Sequence, residues 1–273
     1  MKLTKELEEK IREENRKLHN QGADNYDNYP PYLLEKEDRI NFEDIRFIRK
    51  MLKKDKPIAL DCGCGTGKLA INMIKNGFET EILDISKNMV KIAKKKIKDK
   101  TKIEVKGHVS DSDKFFNTGK NKYDLICFTA TLHHIGDYNK TLKLAIKSLN
   151  KGGCIYITDG QKKKDDFVVN VLSAIGGHAN NLYKAVKNPM YAMKFMMMKF
   201  RKKDSKESIN VELAEFHAGT GIDDKKLLRF FEKNRCKVEK YETFQVNYFR
   251  FLEIFDFLLK NKPKLFKLVV RKS

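Results

Sequence analysis

The stretch Ile58-Ala59-Leu60-Asp61-Cys62-Gly63-Cys64-Gly65-Thr66-Gly67 admits few folds. An apolar run, three alternating glycines and then the helix-like segment Lys68 to Lys75 spell strand, tight turn and helix. Glycine lets the backbone turn sharply, and without a Cβ it lets a ligand lie directly against main-chain N–H groups. A second apolar run, Glu81-Ile82-Leu83-Asp84, ends in a lone carboxylate 21 positions after Gly63. At the tip of the neighbouring strand that carboxylate can accept both ribose hydroxyls of a nucleoside. The pattern therefore points to a nucleoside-containing cofactor.

What the turn lacks narrows the choice. A dinucleotide fingerprint starting at Gly63 needs glycine at 68, where Lys68 stands. A phosphate-binding loop ending in Gly67-Lys68 needs glycine at 62 and Ser or Thr at 69, where Cys62 and Leu69 stand. What remains, Asp-x-Gly-x-Gly-x-Gly, resembles the first motif of the class I S-adenosylmethionine-dependent methyltransferases. The resemblance continues in order along the chain. Asp84-Ile85-Ser86-Lys87-Asn88-Met89 is similar to the second motif. Tyr123-Asp124-Leu125-Ile126-Cys127-Phe128, followed by Leu132-His133-His134, is similar to the fourth strand and its loop. Leu149-Asn150-Lys151-Gly152-Gly153-Cys154-Ile155-Tyr156-Ile157 is similar to the turn and strand of the fifth.

The resemblance covers about 40–160 and 222–271 and implies a doubly wound α/β fold. Its sheet would be mostly parallel and seven-stranded, with S-adenosyl-L-methionine bound at the carboxyl ends of the strands. It assigns Asp61, Cys62, Gly63, Cys64, Gly65 and Gly67 to the cofactor's amino-acid end, Asp84 to the ribose and Ile85 to the adenine. Met89, and Phe128 with Thr129 at the end of the fourth strand, join the cofactor set. Near the third strand the chain departs from the family. An acidic residue is expected just after the glycine, but the run is Gly107-His108-Val109-Ser110-Asp111. The adenine contact is left open between His108, Asp111 and the Val109 backbone.

Length and composition fit this reading. With 273 residues and 41% hydrophobic content, one substantial core can form. The five cysteines, Cys62, Cys64, Cys127, Cys154 and Cys236, mostly lie in strand-like runs and read as reduced core thiols of a cytoplasmic protein. Cys62-x-Cys64 has no second Cys/His pair at zinc-like spacing, so no metal site is expected. Met1 to Leu18 is too densely charged for a signal peptide, and every apolar run falls short of the ~20 residues of a membrane span. The net charge of +20 comes mainly from dispersed lysines with few arginines. That pattern disfavours nucleic acid as partner, because arginine is the residue that grips phosphates in a fork.

Organisation follows from the alternation. Thr4 to Leu18 reads as a charged helix, followed by the polar, aromatic segment Asn20 to Tyr32 with its Pro30-Pro31 pair. Strand-like runs at 57–62, 79–84, 102–106, 123–128 and 152–158 alternate with amphipathic helices such as Ser86 to Ile97. Residues 161–221 read as a helical cap inserted after strand five, with apolar segments Phe167 to Ile175 and Met190 to Phe200. The pattern then resumes with a helix (Asp223 to Lys233), a strand (Lys237 to Phe244), a helix (Phe249 to Leu259) and a final strand (Leu265 to Val270). The expected parts are an N-terminal helix and lid segment (1–39), a cofactor-binding core (40–160), the cap, and the C-terminal part of the sheet (222–273).

Methyl transfer from a sulfonium is an in-line displacement, so the protein mainly positions the nucleophile and at times removes a proton. His133, His134, Asp159 at the end of strand five, and His217 in Glu215-Phe216-His217 are the candidates for lining the acceptor site. Two adjacent histidines cannot both easily point into one cleft. Tyr26 is placed to close over the cofactor. The reading favoured is methyl transfer to oxygen, nitrogen or carbon of a small, apolar or anionic acceptor. An RNA methyltransferase and a non-catalytic cofactor-binding protein are the alternatives. The sequence does not fix an oligomeric state.

Overall fold

The computed structural model describes residues 3–27, 31–119, 122–162, 209–217, 220–244 and 265–273. Its centre is a seven-stranded sheet in the order β3-β2-β1-β4-β5-β7-β6. The strands are β1 (Ile58–Cys62), β2 (Glu79–Asp84), β3 (Lys106–Val109), β4 (Tyr123–Thr129), β5 (Leu149–Gly160), β6 (Cys236–Phe244) and β7 (Leu265–Lys272). The pairs among β1 to β5 are parallel, while β7 runs antiparallel to both its neighbours. The helices are α1 (Lys5–Gly22), α2 (Pro31–Met51), α3 (Lys68–Lys75), α4 (Lys87–Thr101), α5 (Ser112–Asn117) and α6 (Tyr138–Ser148). After β5 come a short α7 (Val211–Ala214) and α8 (Asp224–Lys233).

Strand periodicity divides the core into two layers. Side chains alternate across a strand, so Leu60, Ile126, Phe128, Ile155 and Ile157 pack on one face with residues of α5, α6 and α8. Ala59, Leu125, Cys127, Cys154 and Tyr156 pack on the other against Ile45 and Ile48 of α2 and Leu69 and Met73 of α3. On that same face α3 and α4 share a smaller cluster that includes Ala70, Val90, Ala93 and Ile97. Helices on both faces explain why the central strands read as unbroken apolar runs. All five cysteines are buried and unpaired. Among the described residues, no helix is long and apolar enough to cross a membrane.

Several boundaries differ from the sequence expectation, each for a local reason. The third strand, expected at 102–106, is Lys106–Val109. Lys102 adopts φ +63° as the cap of α4, which runs on to Thr101, so 102–105 is turn. Pro31 does not bar a helix but begins one: at the first helical position its missing N–H costs nothing and its fixed φ suits the turn. The boundary expected at 39/40 therefore falls inside α2. The helix Phe249–Leu259 and most of the expected cap, 163–208, lie outside the described residues.

One buried charge ties α2 to the far edge of the sheet. Asp44, its side chain 1% exposed, lies 2.7 Å from the Lys240 ammonium, 3.2 Å from that of Lys267 and 3.1 Å from the Tyr156 hydroxyl, which donates to it. Truncating it leaves two partly buried ammonium groups with only the half-exposed carboxylate of Glu242 to share. Asp44→Ala is expected to cost about 3 kcal/mol, read as a lower denaturant midpoint at unchanged slope. An unmoved midpoint would show the cluster to be energetically idle.

Candidate active site

The glycine turn is pinned to β2 through the main chain. The N–H groups of Gly63 and Cys64 both donate to the Leu83 carbonyl, at 2.8 and 3.0 Å. Gly63 has φ +77°, and a Cβ there would sit 2.4 Å from the Thr131 side chain, so only glycine fits between β1 and the loop after β4. Asp84 completes the frame: one carboxylate oxygen accepts the Gly65 N–H at 3.0 Å and the other the Ser86 N–H at 2.8 Å. Burial pushes its carboxyl up to about 6, against these N–H donors. Each oxygen keeps lone-pair capacity for a further donor.

These groups form the floor of a cleft of about 820 Å³, open mouth included. Ile85, Ser110, Asp111 and Thr131 line its walls, and α1 supplies the roof through Glu8, Arg12, Asn15 and His19. The Arg12 guanidinium holds α1 down, its Nε 2.8 Å from Asp111 and a terminal nitrogen 3.2 Å from Asp113. Tyr26 lies over Gly65 and lines the same cleft. Beneath the turn, Asp61 is 1% exposed and neither carboxylate oxygen has a hydrogen-bond partner, with burial lifting its carboxyl to about 7. Asp61 lies behind the cleft wall and does not line it, with the Ala70 backbone the group that opposes the rise of its carboxyl. An ammonium group such as that of S-adenosylmethionine's zwitterionic amino-acid end is the kind of charge such a carboxylate suits. The acceptors on Asp84 fit the ribose hydroxyls of that molecule.

A second cleft, about 840 Å³ with its mouth, opens on the other side of the β4 loop. Ile40, Phe244 and Leu265 give it apolar walls, and Thr129, His133 and Asp159 line its inner end. Ala130 belongs to both clefts. It holds φ +48°, a strained conformation for a residue with a Cβ, and its N–H donates to the Thr158 carbonyl at 2.7 Å. The two histidines separate here. His133 faces the second cleft, its Nδ1 2.7 Å from Asp159, which is 1% exposed, and its Nε2 3.6 Å from Glu215. Burial opposes charge on His133, but the two carboxylates outweigh it and raise its pKa above the usual imidazole value. His134 faces the first cleft, with Nδ1 3.0 Å from the Ala214 carbonyl and its ring edge-on to His19 at 4.8 Å. Burial, then His133 and His19, hold His134 well below the imidazole range; burial, then His133, push His19 down to about 4.

A family model described as a methyltransferase domain matches residues 53–235. The chain belongs to this family of class I S-adenosylmethionine-dependent methyltransferases. Among curated relatives, it is 24% identical over 136 residues to a ubiquinone biosynthesis O-methyltransferase of Hydrogenovibrio crunogenus, covering 50% of this chain and 56% of that protein. It is 31% identical over 144 residues to malonyl-[acyl-carrier protein] O-methyltransferase 1 of Ilyobacter polytropus, covering 52% and 50%. The chain thus spans about half the length of these relatives. The magnesium protoporphyrin IX methyltransferase of Synechocystis, crystallised with bound SAH, superimposes with a TM-score of 0.58 at 13% identity, over 96% of this chain and 100% of that one. At that identity the likeness is one of fold.

Within this methyltransferase, the structure gathers some of the expected residues at the clefts and not others. Tyr26, Cys62, Gly63, Gly65, Asp84, Ile85 and His134 line the first; Thr129, His133 and Asp159 line the second. Of the three adenine candidates, Asp111 lines the cleft. His108 instead pairs with Glu81 at 2.8 Å and packs on the Phe115 ring, and Val109 is exposed. Met89 and Phe128 are wholly buried beneath α4 and in the sheet, because strand and helix periodicity turn them inward. Cys64 packs between α3 and α4, and Gly67 is the left-handed cap of α3. His217 is not at either cleft. Its Nε2 donates to the Gly136 carbonyl at 3.1 Å and its N–H to the His133 carbonyl at 2.8 Å, so it braces the β4 loop. Sequence reasoning missed Arg12, His19 and Glu215. The first two carried only the signal of a charged helix, and Glu215 only that of a neighbour of His217.

The roof gives a direct test. Arg12→Ala removes the cation that joins α1 to Asp111 and Asp113 and leaves Lys140 as the remaining cation on Asp113. Amide exchange over residues 5–22 should accelerate roughly tenfold or more, with α6 unchanged. Equal protection in the variant would mean that Arg12 does not hold the roof.

Proposed function

We propose that this methyltransferase transfers a methyl group from S-adenosylmethionine to an oxygen of a small, largely apolar molecule held in the second cleft. The observation that carries the reading is the confluence of two clefts at Ala130, with Asp84 lining one and the His133–Asp159 pair at the inner end of the other. The curated relatives described above, both O-methyltransferases by name, support oxygen as the accepting atom.

Asp84 takes the ribose hydroxyls, Asp61 with the N–H groups of the glycine turn takes the amino-acid end, and Asp111 stands at the adenine end. S-adenosylmethionine supplies a methyl group on a sulfonium, which leaves as a neutral thioether when the acceptor's lone pair attacks in line. The first cleft suits a cationic cofactor, since Glu8, Asp84, Asp111, Asp113 and Asp137 line it against Arg12 alone. The second cleft presents Ile40, Phe244 and Leu265, the carboxylates of Glu37 and Asp159, and no Lys or Arg among its described lining. That lining favours an apolar, neutral acceptor over an anionic one. Thr158 and Asn41 add polar groups to this lining. His133 stands where the acceptor's hydroxyl must shed its proton.

The experiment is incubation with methyl-labelled S-adenosylmethionine and a panel of neutral hydroxy compounds, carboxylic acids, amines and structured RNA. Label is expected as an ether methyl on an apolar hydroxy compound; label on RNA or amines alone would overturn the reading. Cofactor binding is tested separately. Asp84→Ala is expected to cost about 1.5–3 kcal/mol, a tenfold to hundredfold loss of affinity for S-adenosylhomocysteine by calorimetry. On this reading both carboxylates act as anions, so their protonation competes with the ligand. Affinity should be highest just above neutrality, where the ligand's amine is still charged, and fall as pH drops through about 7 and about 6, where Asp61 and then Asp84 take up protons. A dissociation constant that stays flat through that window would remove both residues from the cofactor contacts.

A further inference from the structure

Three donors converge where the β4 loop meets the end of α7. His133 Nε2, His134 Nδ1 and a carboxylate oxygen of Glu215 all lie within 4.8 Å of one another. His133 Nε2 is 3.6 Å and His134 Nδ1 3.9 Å from Glu215 Oε2. Both separations are too long for hydrogen bonds. They suit donors around a shared ion, because bonds of about 2.0–2.2 Å to one metal set neighbouring donors roughly 3–4 Å apart.

Two further observations point the same way. Asp159 holds His133 from behind, at 2.7 Å on Nδ1. A carboxylate only accepts, so the Nδ1 position carries the proton and Nε2 is turned toward Glu215. A carboxylate behind the ring is the arrangement that orients metal-binding histidines and raises their basicity. Second, the Ala214 carbonyl that now meets His134 Nδ1 also accepts from the Asn15 amide at 3.1 Å. His134 can therefore turn to an ion without stranding that carbonyl. All three donor residues are half-buried, and His133 opens on the second cleft, which gives an ion a route in.

We propose that His133, His134 and Glu215 bind a divalent transition-metal ion, zinc matching the two imidazoles and one carboxylate, at the junction of the two clefts. The inference deepens the O-methyl-transfer reading and rests on it for the role of the ion. Three protein donors leave coordination positions for the acceptor's oxygen. A bound hydroxyl becomes more acidic and releases its proton to water. The oxygen's electron pair then forms the new C–O bond while the C–S pair returns to sulfur, giving a methyl ether and a neutral thioether. Asp159 is on this account a positioning residue.

The test uses the full, tag-free chain after chelator treatment, titrated with Zn²⁺ by calorimetry and with Co²⁺ by visible absorption. One equivalent of Zn²⁺ and the ligand-field bands of low-coordinate Co²⁺ are expected in the wild type, with no variant required. Asp159→Asn should weaken Zn²⁺ by about tenfold to a hundredfold, and Glu215→Gln by at least as much. His133→Ala should abolish the Co²⁺ bands. S-adenosylhomocysteine affinity, measured on every sample, reports the integrity of the cofactor cleft. No stoichiometric Zn²⁺ uptake by the wild type, or wild-type affinity in Glu215→Gln, overturns the metal site and leaves an ion-paired His133 in its place. If the cofactor product binds while Zn²⁺ does not, only the metal site fails. If the cofactor product itself does not bind, the methyl-transfer reading fails first.

Discussion

From β1 the chain crosses over toward β2 and β3; from β4 it crosses the other way, toward β5. The loops after β1 and β4 therefore part, and no crossover helix fills the space above their carboxyl ends. The first cleft occupies that space, and the second opens beyond the β4 loop, beside the ends of β5, β6 and β7. The glycine turn builds one wall, and Ala130 stands in the loop that divides them. The divide must be thin for a methyl group to pass, and its thinness has local causes. Gly63 leaves room for Thr131, while Ala130 accepts a left-handed backbone to keep its N–H on the Thr158 carbonyl. Strain of this kind persists only where the surroundings fix it, here by strands packed on both faces.

How legible this was in the sequence depended on whether a feature is local. The turn, Asp84 and the alternating apolar runs are set by neighbours in the chain, and the strand order follows once crossovers are taken as right-handed. The third strand was misplaced because Ile103 and Val105 mimic strand alternation, although Ile103 is 48% exposed and the residue before it caps α4. His108 read as a site residue because it stands where the family has an acidic residue, and His217 because an imidazole can serve as a base. Their partners, Glu81 and the Gly136 carbonyl, lie 27 and 81 positions away, and spacing carries no trace of them. The same distance hid Glu215. The adjacent histidines were separable in principle, since neighbouring side chains on a tight turn diverge, but which faced which cleft depended on Asp159 and the Ala214 carbonyl.

Electrostatics separates surface from site. The chain carries +20, yet the described walls of the first cleft hold five carboxylates and one arginine, and the second has two carboxylates. The lysines of α4 mostly face solvent, so the positive charge surrounds the clefts without entering them. An acidic cleft favours a sulfonium cofactor over its neutral thioether product, which helps product exchange. In the second cleft the same acidity opposes an oxyanion, the species that methyl transfer to a hydroxyl requires. Either His133 carries positive charge between Asp159 and Glu215, or an ion does. On the proposed transfer to oxygen, the carboxylates would in each case hold a cation beside that oxygen, so their presence does not contradict the proposal.

The roof joins the two clefts mechanically. Asn15 of α1 bonds the Ala214 carbonyl at 3.1 Å, and the Glu14 carboxylate accepts the Asn210 N–H at 2.6 Å, so α1 and α7 form one packed unit. The same helix covers the cofactor cleft through Arg12 and His19, and α7 leads directly into Glu215. Asn20, near its end, also meets Ser86 and Asn88 at the start of α4, beside Asp84. A shift of α1 would disturb the contacts through Asn15 and Glu14 that hold the segment leading into Glu215. Coupling between the sites thus needs no long relay. One helix touches the ribose end of the first cleft and the segment that shapes the second, and the position of that helix fixes both.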